Sequence, residues 1–176
     1  MRMKIGVVIA VACFAIALLC GCEKKDEPVK TQTESLPAFS NVLPSALVGK
    51  TMYSGGKVFI DGLNKNKIET IVNIKNEDGF DMNGWAFDDK TNTTPETIFI
   101  ELAPVKDGDK YYMEAKRLER EDVAKYFNKP EIKKAGFVIK ADIKSVPSGE
   151  YEVNIIQVDN GTPSRAATGG KINKSN

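Results

Sequence analysis

Apolar positions follow two regimes along this chain: one unbroken run near the start, then, from about residue 50, a succession of short runs in which apolar and polar residues alternate. Alternation with a period of two puts every second side chain on one face of a strand. Val58 and Ile60 alternate with Lys57, Phe59 and Asp61 ahead of a turn-like stretch over 62–67. A run over 70–74 is closed by Asn76-Glu77-Asp78-Gly79. Phe80, Met82, Gly84 and Ala86 interleave with Asp81, Asn83, Trp85 and Phe87, and after a polar loop over 88–95, Ile98, Ile100 and Leu102 oppose Phe99 and Glu101. Asp107-Gly108 is a hairpin signal leading into an aromatic run over 111–116. Phe137, Ile139, Ala141 and Ile143 stand against Val138, Lys140 and Asp142, and Pro147-Ser148-Gly149 makes a turn. Tyr151, Val153 and Ile155 then stand against Glu152 and Asn154, until Asp159-Asn160-Gly161 ends the run.

One segment breaks this rhythm. Val123, Tyr126 and Phe127 fall at helical spacing and Asp122 sits where an acid suits a first turn, which predicts one short helix over 121–128. The tail over 162–176 reads as polar, with 169–172 as a candidate last edge strand. The count of about seven to eight strands in about 120 residues matches a single immunoglobulin-like β-sandwich, expected over 50–176.

The unbroken apolar run, Ile5 to Leu19, follows the cationic leader Met1-Arg2-Met3-Lys4, as in a signal peptide. It is shorter than the about 20 residues that a spanning helix needs. An uncleaved N-terminal anchor is the alternative. Leu19-Cys20-Gly21-Cys22 resembles the bacterial lipobox: cleavage before Cys22 leaves the small Gly21 at the cut and Leu19 three residues upstream, whereas cleavage before Cys20 would leave Leu19 at the cut. The expected organisation is a signal peptide over 1–21, a lipidated flexible tether over 22–49 rich in charged residues, Ser, Thr and Pro, and the sandwich over 50–176. Docking of the apolar positions over 42–48 onto the domain, as a first strand or short helix, is the alternative for the end of the tether. Acylated Cys22 would hold the chain to a membrane outside the cytoplasm. Because Glu23 rather than Asp follows, the expected place in a Gram-negative source is the outer membrane, facing the periplasm.

Processing changes the charge and the cysteine inventory. The leader takes Arg2 and Lys4 with it, leaving 23 basic against 24 acidic residues, a net of −1. That is neither the basic footprint of a nucleic-acid binder nor a polybasic membrane patch. Cys13 and Cys20 leave as well and Cys22 is acylated, so the mature domain is expected to fold without a disulfide. The chain contains no histidine. Ser-His-Asp and Cys-His catalysis and His/Cys zinc sites therefore lack their residues. Two carboxylates flanking a bond would suffice for a glycosidase, but the acids read as a solvated surface. Asn76, Asp78, Asp81 and Asn83 around Gly79 and Gly84 offer oxygen ligands, yet without the spacing and closing Glu of a calcium loop they read as an ordinary turn. No glycine-rich loop opens a helix to cradle phosphate. The expectation is a protein without catalytic function, cofactor or metal.

Five segments carry a resemblance: Gly84-Trp85-Ala86-Phe87, Thr97-Ile98-Phe99-Ile100-Glu101-Leu102, Arg120-Glu121-Asp122-Val123-Ala124, Ala135-Gly136-Phe137 and Gly149-Glu150-Tyr151. In this order, over residues 70–158, they resemble the small β-sandwich modules appended to bacterial membrane glycosyltransferases and other cell-envelope glycan proteins. The resemblance implies an accessory, glycan-binding domain without catalytic residues to carry over. The candidate ligand-binding residues are Trp85, Arg120 and Tyr126. Each has a plainer reading, since Trp85 beside Gly84 and Ala86 suits close sheet packing, Arg120 with Asp122 suits a helix pinned to the sheet, and Tyr111, Tyr112, Tyr126 and Phe127 divide between core and surface. The expected function is a lipid-anchored binding module for envelope glycan, with no nucleic-acid partner. The alternative is a protein-interaction lipoprotein, an envelope assembly factor or inhibitor working through a sheet edge.

Overall fold

The alternating runs become strands in two sheets, with ten strands among the described residues against the about seven to eight expected, and the run over 111–116 divides between the two sheets. The computed structural model describes residues 35–68 and 71–176; the expected signal peptide, Cys22 and the first part of the expected tether lie outside the described residues, as does Thr70. In chain order the strands are β1 (Tyr53–Ser54), β2 (Lys57–Leu63), β3 (Ile71–Lys75), β4 (Phe80–Phe87), β5 (Thr97–Pro104), β6 (Tyr111–Glu114), β7 (Lys116–Leu118), β8 (Gly136–Ala141), β9 (Gly149–Asp159) and β10 (Thr162–Ser175). The expected helix is α1 (Glu121–Phe127), with Glu121 and Asp122 in its first turn and Asn128 ending it in a left-handed conformation. Among the described residues no helix is long and apolar enough to cross a membrane.

The larger sheet runs β1-β10-β9-β5-β6, with β3 also on β10; the smaller runs β2-β4-β8-β7. β1 and β3 lie parallel to β10, at its first and second halves, while the other pairings are antiparallel. Inward residues of both sheets meet in one core: Ile98, Ile100, Val153 and Ile155 from the larger, Met82, Phe137 and Ile139 from the smaller. The alternation read in β4, β8 and the first half of β9 is the alternation of their burial, as expected for strands with one face on a core.

Three expectations change. The polar tail is β10, a fourteen-residue strand inside the larger sheet rather than an edge piece. Its buried positions are Pro163, Ala166, Gly170, Ile172 and Lys174, so small and polar residues sit where a hydrophobic signal is sought; pairing on both sides holds it. A bulge between Ala167 and Lys171, with Gly169 at φ 75°, further breaks its period. β2 continues through Gly62 to a fully buried Leu63, past a bulge of its own between Ile60 and Gly62.

The end of the expected tether also belongs to the domain. Phe39 is buried edge-on against Phe80, with ring centroids 5.0 Å apart. Ala38 bridges Asp142, just past the end of β8, and Ser40 bridges Tyr112 of β6. A 3-10 turn over Ser45–Leu47 then seats Leu47 on Phe99, Ile156 and Val158, on the outer side of the larger sheet. Burial of two large apolar side chains outweighs the Pro and Ser content that reads as linker. The docking alternative for 42–48 is realised as this short turn.

Candidate functional site

The outer face of the smaller sheet carries the candidate residues. Register places Phe59, Trp85, Gly136 and Leu118 side by side on β2, β4, β8 and β7. Glycine stands beside Trp85 twice, for different reasons. Gly84 faces inward, where a Cβ would come within 2.2 Å of the Phe59 carbonyl oxygen and 2.9 Å of the Phe137 ring. Gly136 faces outward, where a Cβ would come within 2.5 Å of Arg120 Cγ. The stem of Arg120 therefore lies across Gly136 in the space a side chain would fill.

From this row an aromatic series extends toward α1. Trp85 stacks on Phe59 at 5.9 Å and on Phe87 at 5.7 Å, with interplanar angles of 20° and 29°. Phe127 of α1 meets Trp85 and Phe87 edge-on, and Tyr126 meets Phe127 edge-on at 5.0 Å. Offset stacks and edge-to-face contacts are the favourable geometries of aromatic pairs. Lys57 Nζ lies 4.8 Å from the centre of the Phe127 ring. Beneath the series Phe87, Val123, Ala124, Ile132 and Ala135 form a second small core, which explains why Phe87 is buried although it points away from the main one.

Trp85 is thus half-buried on the outer face, packed against other rings rather than between the sheets. Tyr126 is 83% exposed and Phe59 55%, so the series ends on an open ring at either side. Arg120 forms a fork. Its Nε and Nη2 donate to the two carboxylate oxygens of Asp122 at 2.8 and 2.7 Å, and Nη1 donates to Asp61 of β2. The fork pins the start of α1 to the sheet, and the Arg120 side chain itself caps none of the helix's backbone N–H groups. The hydrogen bonds that Asp122 accepts from Arg120 pull its carboxyl down to about 2, and those that Arg120 donates to Asp122 and Asp61 push the guanidinium further up. Arg120 acts here as a positioning residue whose donors are largely engaged.

The remaining candidates separate. Tyr111 is buried edge-on to Tyr151, while Tyr112 is half-buried beside Glu101 and its hydroxyl is pushed up by that burial and then by the carboxylate. In the turn read as a weak calcium candidate, Asp78 accepts the Lys75 backbone N–H at 2.8 Å and Asp81 pairs with Lys140. Among the described residues no group of three or more His, Cys, Asp or Glu is placed to hold a metal ion. Phe59 completes the series without having been singled out, although its outward place in the β2 alternation is its signal. Comparison with protein-family models, curated proteins and solved structures gives no match for this chain.

Proposed function

We propose that this chain is a lipid-anchored, extracytoplasmic binding module without catalytic function, an immunoglobulin-like sandwich that engages envelope glycan through the aromatic face of its smaller sheet. The supporting observation is the continuous series Phe59, Trp85, Phe87, Phe127 and Tyr126, rigidly backed by α1 and open at both ends. A pyranose ring carries an apolar C–H face as well as hydroxyls, and burying that face against a fixed aromatic ring is favourable while the hydroxyls stay in water. The fork of Arg120 keeps α1, and with it Phe127 and Tyr126, in register with the sheet. Acylation of Cys22 supplies the membrane attachment in this reading, and the resemblance to modules of envelope glycan proteins points the same way.

The test is retention of the full chain, in detergent, on immobilised envelope polysaccharide, peptidoglycan and lipopolysaccharide. Wild type is expected to be retained on one of them. Phe59→Ala and Tyr126→Ala, both at exposed rings, are expected to weaken retention about tenfold, equivalent to about 1.4 kcal/mol, with the fold intact. Failure of all three matrices to retain the wild type overturns the reading. A second reading, an assembly factor or inhibitor docking on a protein, is favoured by β2, which ends the order of the smaller sheet and has one edge without a strand partner among the described residues. A specific protein adduct on in-cell crosslinking, independent of saccharide, would select it.

A further inference from the structure

Between β1, the loop after β4 and the β9–β10 hairpin lies a cleft of about 440 Å³, lined by Gln157, Asp88, Thr91, Thr93, Asp159 and Tyr53. Its size is within the range of small-ligand sites, but size does not single it out, since depressions of about 370 and 480 Å³ occur elsewhere on the surface. Gln157 does. It takes the inward place on β9 that follows Tyr151, Val153 and Ile155, it is only 3% exposed, and its Nε2 has no hydrogen-bond partner among the described residues. Asn76, Arg117 and Arg165 also carry an unpartnered side-chain atom, but each of those residues is only half-buried. An amide N–H held out of water without an acceptor is destabilising, and an apolar side chain of similar volume would remove that penalty. A buried donor left unpaired at a cost to stability calls for a partner.

The roof of the cleft fits this role. Gly55 and Gly56 follow the two-residue strand β1, and a Cβ on Gly56, whose φ is 87°, would stand 1.9 Å from Gln157 Nε2. Only glycine closes over the amide so tightly. This short strap is held to β10 by the pairing of Tyr53 and Ser54 and by the Gly55 N–H donating to the Arg165 carbonyl at 3.2 Å, and a ligand would reach the amide only once it lifts.

The walls decide the chemistry. Asp88 Oδ1 accepts the backbone N–H groups of Lys90 and Thr91, and Asp159 Oδ2 accepts the Thr93 hydroxyl at 2.9 Å, which fixes both carboxylates and leaves further lone pairs for a ligand. Two carboxylates against the single cation of Lys90 disfavour an anion, and an apolar ligand would strand the carboxylates. A ligand rich in hydroxyls satisfies every group: it donates to Asp88 and Asp159, accepts from Gln157, and can lie against the exposed ring of Tyr53.

We propose that this cleft is a second, end-on saccharide site that takes a neutral, hydroxyl-rich terminal sugar residue, with Gln157 as its deepest donor. It rests on the glycan reading for the source of that sugar, while its chemistry is separate from the aromatic face. The test is amide NMR of the full chain in detergent micelles, titrated separately with glucose, galactose and N-acetylglucosamine at millimolar concentration. Saturable shifts are expected at Gly55, Gly56, Thr91 and the Gln157 side-chain amide with at least one sugar. Gln157→Leu is expected to abolish them while the unfolding temperature stays level or rises. Should that variant fail to fold, Asp159→Asn at the rim is expected to weaken binding at least tenfold. No saturable shift at the cleft with any of the three sugars, or equal shifts in wild type and both variants, overturns the proposal. Polysaccharide retention that is lost in Tyr126→Ala, with a silent cleft, overturns the cleft alone. A responsive cleft on a chain that no polysaccharide matrix retains supports the cleft and removes the aromatic face.

Discussion

Arg120 holds its position because Gly136 has no side chain. The stem fills that space, and the guanidinium reaches Asp61 on the sheet and Asp122 on the helix at once. The pH dependence of the domain follows from this fork. The Asp122 carboxyl is held at about 2 in the folded chain against an ordinary value of 3.8, so its contribution to stability is complete above about pH 4 and is lost as pH falls through about 2. Thermal unfolding followed from pH 5 downward is expected to show a declining midpoint over that window, and Asp122→Asn is expected to flatten part of the decline. An unchanged acid slope in the variant would mean that the fork contributes nothing; because Asp122 is exposed, solvent screening keeps the effect modest. The same residues mark how much of the candidate face was legible. Trp85, Arg120 and Tyr126 all lie on or beside one sheet face, yet the sequence does not reveal that Arg120 is occupied by two acids, since Asp61 is 59 residues away. Gln157 carries no apolar signal, because the apolar alternation ends at Ile155; a polar side chain at the next inward place is the only mark the sequence offers.

At the scale of elements, legibility follows the size of the inward side chains. β4, β5 and β8 put Phe, Met, Ile or Leu inward and were readable, as was α1 from the spacing of Val123 and Phe127. β10 buries Pro163, Ala166, Gly170 and Lys174 and was not, because its place is set by backbone pairing that no local pattern encodes. Yet its second half is structurally central. It pairs Lys171–Ser175 with β3 on one side and with β9 on the other, and Ile172 is fully buried. Removing residues 169–176 would leave β3 without the strand it pairs with and open the core beside Val72 and Ile74. The expected outcome is loss of cooperative thermal unfolding and of the near-ultraviolet circular dichroism of packed aromatics. Retention of a sharp transition within a few degrees of wild type would show that the tail is the dispensable edge its composition suggests.

For the whole molecule the question is where the domain stops and the attachment begins. Phe39 in the core and Leu47 on the larger sheet move that boundary upstream of Lys50, into the segment whose Pro and Ser content reads as linker. A soluble form begun at Lys50 would delete both side chains, and truncation of one large buried apolar residue costs about 2–5 kcal/mol, a large share of a typical domain's stability. Attachment is therefore best tested by a substitution in the full chain rather than by truncation. Cys22 lies outside the described residues, and acylation there is an inference from the apolar run ahead of it and from Leu19 and Gly21 beside it. A single acyl chain gives only reversible membrane binding, while the two or more carried by a processed lipoprotein give stable anchoring. In the proposed reading Cys22→Ser removes the acyl acceptor. The expected outcome is an unchanged unfolding temperature together with a shift of the chain from the membrane to the soluble fraction after carbonate washing. Continued co-sedimentation of the variant would instead assign the attachment to the uncleaved apolar run of residues 5–19, and the aromatic face would then be presented from a protein anchor rather than a lipid one.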